Sequence, residues 1–144
     1  MQEQLQRAAV IAEARTWFAT PYHHAARVKG AGADCATLPA EVYAAAGVIP
    51  PVAIGHYPPD WHLHRSAERY LEQVLKHARE VPAPTGPGDL VLYRWGRAFA
   101  HGAIIVDWPV VIHAMKHVGV VLDNGEDGRL KARERRFFTL WKEA

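Results

Sequence analysis

Gly32-Ala33-Asp34-Cys35-Ala36-Thr37-Leu38 is the stretch on which the reading of this chain turns. It holds the only cysteine among 144 residues and stands where a glycine-broken loop gives way to an apolar, helix-forming run. Cys35, Leu38, Val42, Ala45 and Ala46 fall within roughly 100° of one another on a helical wheel. That spacing predicts a helix from about Cys35 to Ala46, closed by Gly47. Pro39 lacks an N–H and is tolerated only in a first turn, so it pins the helix start close to Cys35. A helix N-terminus lowers a thiol's pKa, so Cys35 is expected to react with iodoacetamide well below about pH 8.

Outward from that stretch, residues 3–19 read as an amphipathic helix. Leu5, Ala8, Ile11, Ala12 and Phe18 share one side and Gln2, Gln6 and Glu13 lie opposite. Thr20-Pro21 ends it, and residues 21–34 are read as loop. Residues 47–65 are rich in proline and histidine but carry Ile54, Tyr57 and Trp61, which suits an ordered surface excursion. A third helix follows, capped by Ser66, with Ala67, Tyr70, Leu71, Val74, Leu75 and Ala78 in an i, i+3, i+4, i+7 pattern. After the prolines of Val81–Gly88, the segments Asp89–Tyr93, Ala100–Val106, Val110–Met115, Gly119–Leu122 and Phe137–Trp141 are β-branched and aromatic, as strands are. Helices first and strands afterwards predict an α+β fold with an antiparallel sheet, in a single domain over residues 1–144.

Apolar residues make up 49% and charged residues 22%, the composition of a packed globule rather than a disordered chain. A net charge of +2 is too small to argue for a nucleic-acid partner. One cysteine allows no internal disulfide. No segment approaches the roughly 18 apolar residues of a membrane span. Met1-Gln2-Glu3-Gln4-Leu5 opens no secretory signal, so synthesis in the cytoplasm is expected.

Thiolate chemistry needs an imidazole near the sulfur and a third group to orient that imidazole. His101 opens an apolar strand, and His113 follows twelve residues later across a hairpin. Two residues an even number apart share a sheet face only if the hairpin loop has odd length. Pairing Val106 with Val110 leaves the three-residue loop Asp107-Trp108-Pro109 and sets His113 diagonal to His101. A two-residue loop would put the rings on opposite faces.

In this arrangement the chain resembles the NlpC-type bacterial cell-wall cysteine peptidases, papain-like enzymes that cut murein stem peptides. The resemblance lies in Thr20-Pro21-Tyr22, Gly32-Ala33-Asp34-Cys35, Pro87-Gly88-Asp89-Leu90-Val91, Ala100-His101-Gly102-Ala103-Ile104 and Val111-Ile112-His113-Ala114. Their order covers roughly residues 16–116. With its Tyr22-His23-His24 opening, the chain is most similar to members encoded with phage tails and gene transfer agents. The resemblance implies a papain-like fold, with Cys35 as nucleophile, His101 as general base and His113 as the group orienting it. It implies Tyr22 beside the thiolate in or near the oxyanion site, and Asp34 shaping the substrate pocket. Peptidoglycan stem peptides would be the substrate, tail proteins the partners and the virion the setting. No cofactor or metal is implied. The usual Asp-Cys-Ser-Gly reads Asp34-Cys35-Ala36-Thr37 here, so the hydroxyl offered to the substrate's amine end is replaced by the Ala36 methyl.

Simpler readings stand beside this one. A lone cysteine is usually a small buried hydrophobe, Tyr22 can simply cover a helix start, and either histidine alone fits a core. His56, His62 and His64 invite a zinc reading, but no cysteine or paired motif supports it. Arg129, Lys131, Arg133, Arg135 and Arg136 read as a solvated basic face. For function, an inactive structural or assembly component of a tail remains open, as does an interbacterial or cytosolic wall-peptide amidase.

Overall fold

The computed structural model describes residues 2–54 and 69–141. In chain order these form α1 (Gln2–Arg15), β1 (Arg27–Val28), β2 (Gly32–Ala33), α2 (Thr37–Ala45) and α3 (Arg69–Leu75). There follow β3 (Arg79–Val81), β4 (Leu90–Trp95), β5 (Ala98–Asp107), β6 (Val110–Met115), β7 (Gly119–Asn124), a 3-10 turn at Gly128–Leu130, and β8 (Arg135–Thr139). Strands β3 to β8 make one antiparallel sheet in the order β3-β8-β4-β5-β6-β7, so the chain has the predicted α+β class. The expected Ser66 cap, the Trp61 excursion and His56, His62 and His64 lie outside the described residues. Among the described residues no helix is long and apolar enough to cross a membrane.

The sheet packs on both faces. Leu90, Leu92, Ile104, Ile112 and Phe138 meet Val10, Leu38, Val42, Tyr70 and Val74 from the helices. On the other face, Val91, Tyr93, Ala103, Ile105 and Val111 pack under Leu130 with Trp108 and Phe137. Between Ala46 and Val48 the α2 terminus closes as a Schellman motif. Val48 N–H donates to Tyr43 O and Gly47 N–H to Ala44 O, both at 3.0 Å, with Gly47 at φ +78°. Ala45, placed by the wheel on the inner face, is exposed. Helix α3 buries Tyr70, Leu71 and Val74, but it ends at Leu75, which is 49% exposed, and β3 starts at Arg79.

Helix α1 turns a different face inward from the one its apolar residues suggest. Its buried residues are Arg7, Val10 and Ala14, followed by Trp17 beyond the helix end, while Leu5 is 69% exposed. The cause is Arg7. Its guanidinium donates to Asp89 Oδ1 at 3.0 Å, Pro87 O at 2.9 Å and Thr85 Oγ1 at 3.0 Å, and stacks over the Trp141 ring at 4.2 Å. Asp89 is fully buried, and its other oxygen accepts from Thr85 N–H and Oγ1. A hydrophobicity count puts every arginine outside, so it cannot see an inward face built on an ion pair. The same blind spot covers the C-terminal basic cluster. Arg135 donates to the carbonyls of Gly125, Leu130 and Lys131, and Arg136 pairs with Glu80, so these side chains tie loops and strands together rather than only solvating a face.

Removing one partner of a buried pair leaves the other charge uncompensated, at a cost of about 3–5 kcal/mol. Arg7→Ala is therefore expected to lose about that much stability in urea titration, whereas Leu5→Ala, on the exposed side, should leave the unfolding midpoint nearly unchanged.

Candidate active site

Asp34 builds the turn that presents the sulfur. Its Oδ1 accepts from the N–H groups of Ala36 (2.8 Å) and Thr37 (2.9 Å), and its carbonyl accepts from Leu38 N–H. Thr37 answers by accepting from Asp34 N–H at 2.8 Å, which completes a capping box. Asp34 Oδ2 accepts from Ala25 N–H at 2.7 Å and lies 3.9 Å from His24 Nδ1, so the carboxylate also ties down the loop before β1. Asp34 is 1% exposed. Its carboxylate therefore acts from beneath the site as a cap, and Thr37 has a structural role of its own in that cap.

Tyr22 is held beside Ala33 by backbone bonds from His23 N–H to Ala33 O and from Ala33 N–H to Pro21 O, both 3.0 Å. Its hydroxyl lies against both the side chain and the backbone N–H of Cys35. Half-buried Cys35 donates its S–H to Ala100 O at 3.3 Å, and Gly102 N–H also faces the sulfur. The two residues flanking His101 thus both touch Cys35, at a part of β5 that its pairing with β6, which begins at Ile104, leaves open. On the far side Tyr70 donates to Cys35 O at 2.7 Å. A Cβ on Gly102 would collide with the Tyr70 hydroxyl, which explains glycine directly after the histidine. Ala36, its amide taken by Asp34, lines an apolar groove of about 360 Å³ with Pro39, Tyr43 and Tyr70.

The rings of His101 and His113 meet directly, with His101 Nε2 2.9 Å from His113 Nδ1. The diagonal placement is the expected one, but the hairpin reaches it by another route. Asp107 pairs with Val110 around the two-residue loop Trp108-Pro109, whose peptide bond is cis, and a bulge between Ile105 and Asp107 adds the residue that restores the parity. Beyond His113 lies a group the sequence reading missed: His113 Nε2 is 2.9 Å from Asp123 Oδ2. Asp123 pairs across from Val111 on β7. The reading stopped that strand at Leu122; carrying the period-2 alternation one residue further would have put an acid on the histidine face.

A carboxylate only accepts, so His113 Nε2 carries the proton, its Nδ1 accepts from His101 Nε2–H, and His101 Nδ1 keeps its lone pair. The chain is buried at its centre, with His101 6% and His113 0% exposed, and wet at Asp123, whose side chain is 46% exposed. Burial, then the neighbouring His113 and Arg133, hold His101 well below the usual imidazole range. Burial also lowers His113, against the opposing pull of Asp123. Trp95 packs its ring 4.9 Å from His101, and Arg133 stacks on Trp95 at 3.3 Å, so one cation braces the imidazole through the indole.

The thiol departs from the sequence expectation. Burial, with the Asp34 charge adding to it, pushes Cys35 up to about 12. The first N–H groups of α2, which would stabilise a thiolate, are already committed to Asp34. Burial thus favours the uncharged form of both groups, and the S–H of Cys35 is directed to Ala100 O rather than to the His101 ring. Among the described residues no group of three or more His, Cys, Asp or Glu side chains is placed to hold a metal ion.

Three solved structures share this architecture. The NlpC/p60 domain of the peptidoglycan hydrolase SagA superposes with a TM-score of 0.59 at 22% identity, covering 90% of this chain and 96% of that one. The fold is that of NlpC/p60 domains. The peptidoglycan hydrolase RipB from Mycobacterium tuberculosis gives 0.65 at 18% identity, over 97% of this chain and 67% of that one. A lipoprotein-like NLP/P60-family protein from Staphylococcus aureus gives 0.60 at 17%, over 91% of this chain and 40% of that one. No protein-family model matches the chain, and no curated protein sequence matches it.

Two measurements follow from the electrostatics. Because the thiol is pushed up, the thiolate fraction of the free protein grows with pH towards about 12. Iodoacetamide labelling of Cys35 is therefore expected to be slow at neutral pH and to rise with pH through the alkaline range; a plateau near neutrality would show a thiolate already formed. Arg133 is a cation that opposes the imidazolium, so Arg133→Gln should raise the His101 pKa, read as an upward shift in its imidazole NMR titration.

Proposed function

We propose that this protein is a cysteine peptidase of the NlpC kind that hydrolyses an amide bond in peptidoglycan stem peptides. The observation that carries the reading is the lone cysteine's sulfur docked on the backbone either side of His101, with His101, His113 and Asp123 joined in one hydrogen-bonded line. The shared fold and the sequence motifs point the same way.

In this reading His101 Nδ1 takes the Cys35 proton as the sulfur attacks the amide carbonyl, since the free pair is neutral. His113, oriented by Asp123, holds the His101 tautomer. The oxygen of the tetrahedral intermediate is received by Cys35 N–H, where the Tyr22 hydroxyl now lies. His101 then protonates the leaving amine, and water, deprotonated by the same imidazole, clears the thioester. Positioned acid–base help is worth about 10²–10⁴-fold and one oxyanion donor roughly 10²–10³-fold. The bond assigned is the one joining the D-glutamate side-chain carboxyl to a diamino acid. A place in a phage tail or gene-transfer particle, with tail proteins as partners and action at the cell wall, rests on the sequence resemblance alone.

The test is digestion of purified murein with fragments read by mass spectrometry. Wild type is expected to release fragments cut at that bond, and Cys35→Ala and His101→Ala to leave the profile of untreated murein. An untreated profile from the wild type as well removes the peptidase reading and leaves an assembly component. Asp123→Asn, which keeps size but removes the charge that sets the ring order, should lower kcat by roughly 10²-fold or less with KM unchanged.

A further inference from the structure

Reaching Cys35 through Tyr22, and sharing no lining residue with the apolar groove, lies a cleft of about 420 Å³ lined by Tyr22, His23, His24, Lys116, His117 and Val118. Its volume is in the range of ligand-sized sites. Two elements form it. One is the loop that carries Tyr22, whose hydroxyl meets Cys35. The other is the turn between β6 and β7, which leaves β6 beyond His113; in an antiparallel pair this lies towards the His101 end of β5. The two walls are fastened together by backbone bonds from Ala19 N–H to Val120 O (3.1 Å) and from Val120 N–H to Thr20 O (3.0 Å). The junction is tight: a Cβ on Gly119, at φ +99°, would stand 2.7 Å from Thr20 O. A cleft pinned this way keeps its shape without a ligand.

Its chemistry is one-sided. Lys116 brings a full positive charge, and three imidazoles bring N–H donors. Among the described residues none of its lining side chains is acidic. The carboxylate of Asp34 lies 3.9 Å from His24 Nδ1 and is 1% exposed, its oxygens turned to backbone amides. Lys116, His117 and His23 are exposed and free to meet a ligand in the cleft.

We infer that this cleft is a subsite for a substrate carboxylate, with Lys116 and His117 as the residues that select a peptide carrying a free acid group beside the bond to be cut. The inference rests on the peptidase reading and adds the substrate's charge to it. In the stem peptide assigned above, the group concerned is the α-carboxylate of the D-glutamate whose side chain forms the scissile amide. The contrasting ligand is the same peptide with that carboxylate amidated, which keeps the shape and removes the charge.

The experiment is calorimetric titration of Cys35→Ala, which binds without turnover, with L-Ala-γ-D-Glu-diamino acid in its free and amidated forms at low and moderate salt. Expected is at least tenfold tighter binding of the free form, with the preference shrinking as salt is added. Lys116→Gln combined with His117→Asn should reduce the preference to twofold or less while still binding the amidated peptide; asparagine is chosen because it tolerates the positive φ of 68° at that position. Equal affinity for both forms overturns the inference, and so does a preference that survives the double substitution. Absence of binding by either form overturns it as well. Wild-type murein digestion separates the cases: cleavage without carboxylate preference removes only the subsite, and no cleavage removes the peptidase reading with it.

Discussion

The carboxylate of Asp34 is the constraint on which the site depends. One oxygen gathers the first N–H groups of α2 and the other holds the loop that leads to β1. Cys35, between the capping residue and the helix it caps, is left with no freedom to settle elsewhere. The same interaction costs the site something: amides that would stabilise a thiolate are occupied by a negative charge, and burial beside that charge pushes the thiol up. The turn before α2 places the sulfur, and β5 and β6 place the two histidines.

The α+β order and the pairing of His101 with His113 were legible in the sequence because both follow from short periodicities. Apolar spacing of 3.6 gives way to 2 after the proline-rich stretch, and parity places two histidines an even number apart on one face. Parity settles this only together with the length of the turn, and there such arguments stop. The hairpin turns in two residues, and only the bulge after Ile105 keeps the rings together, a compensation that no count of residues displays. Asp123 was hidden for a related reason. It stands one residue beyond Leu122, where the predicted strand ends, and in front of Asn124-Gly125, a dipeptide typical of turns, so its side chain was not counted on a sheet face.

The remaining misreadings share one physical source. Arg7, Arg133 and Arg135 carry charge, and pattern rules send charge outward. In the folded chain Arg7 is the centre of the inward face of α1, Arg133 lies flat on Trp95, whose ring packs against His101, and Arg135 ties down the carbonyls of Gly125, Leu130 and Lys131. Guanidinium is planar and weakly hydrated for a cation, so it stacks and accepts burial where an ammonium would not. The expected activation of Cys35 failed in the same way: the helix start was legible, but the carboxylate already using it was visible only in three dimensions.

Asp123 is the wet end of an otherwise dry line of rings. The orientation of protons deep inside the sheet is thereby set by a group that water and dissolved ions can reach. Such an arrangement lets the interior stay uncharged at rest, yet it gives a change at the outer rim, whether a bound counter-ion or a neighbouring surface, a direct route to the innermost imidazole.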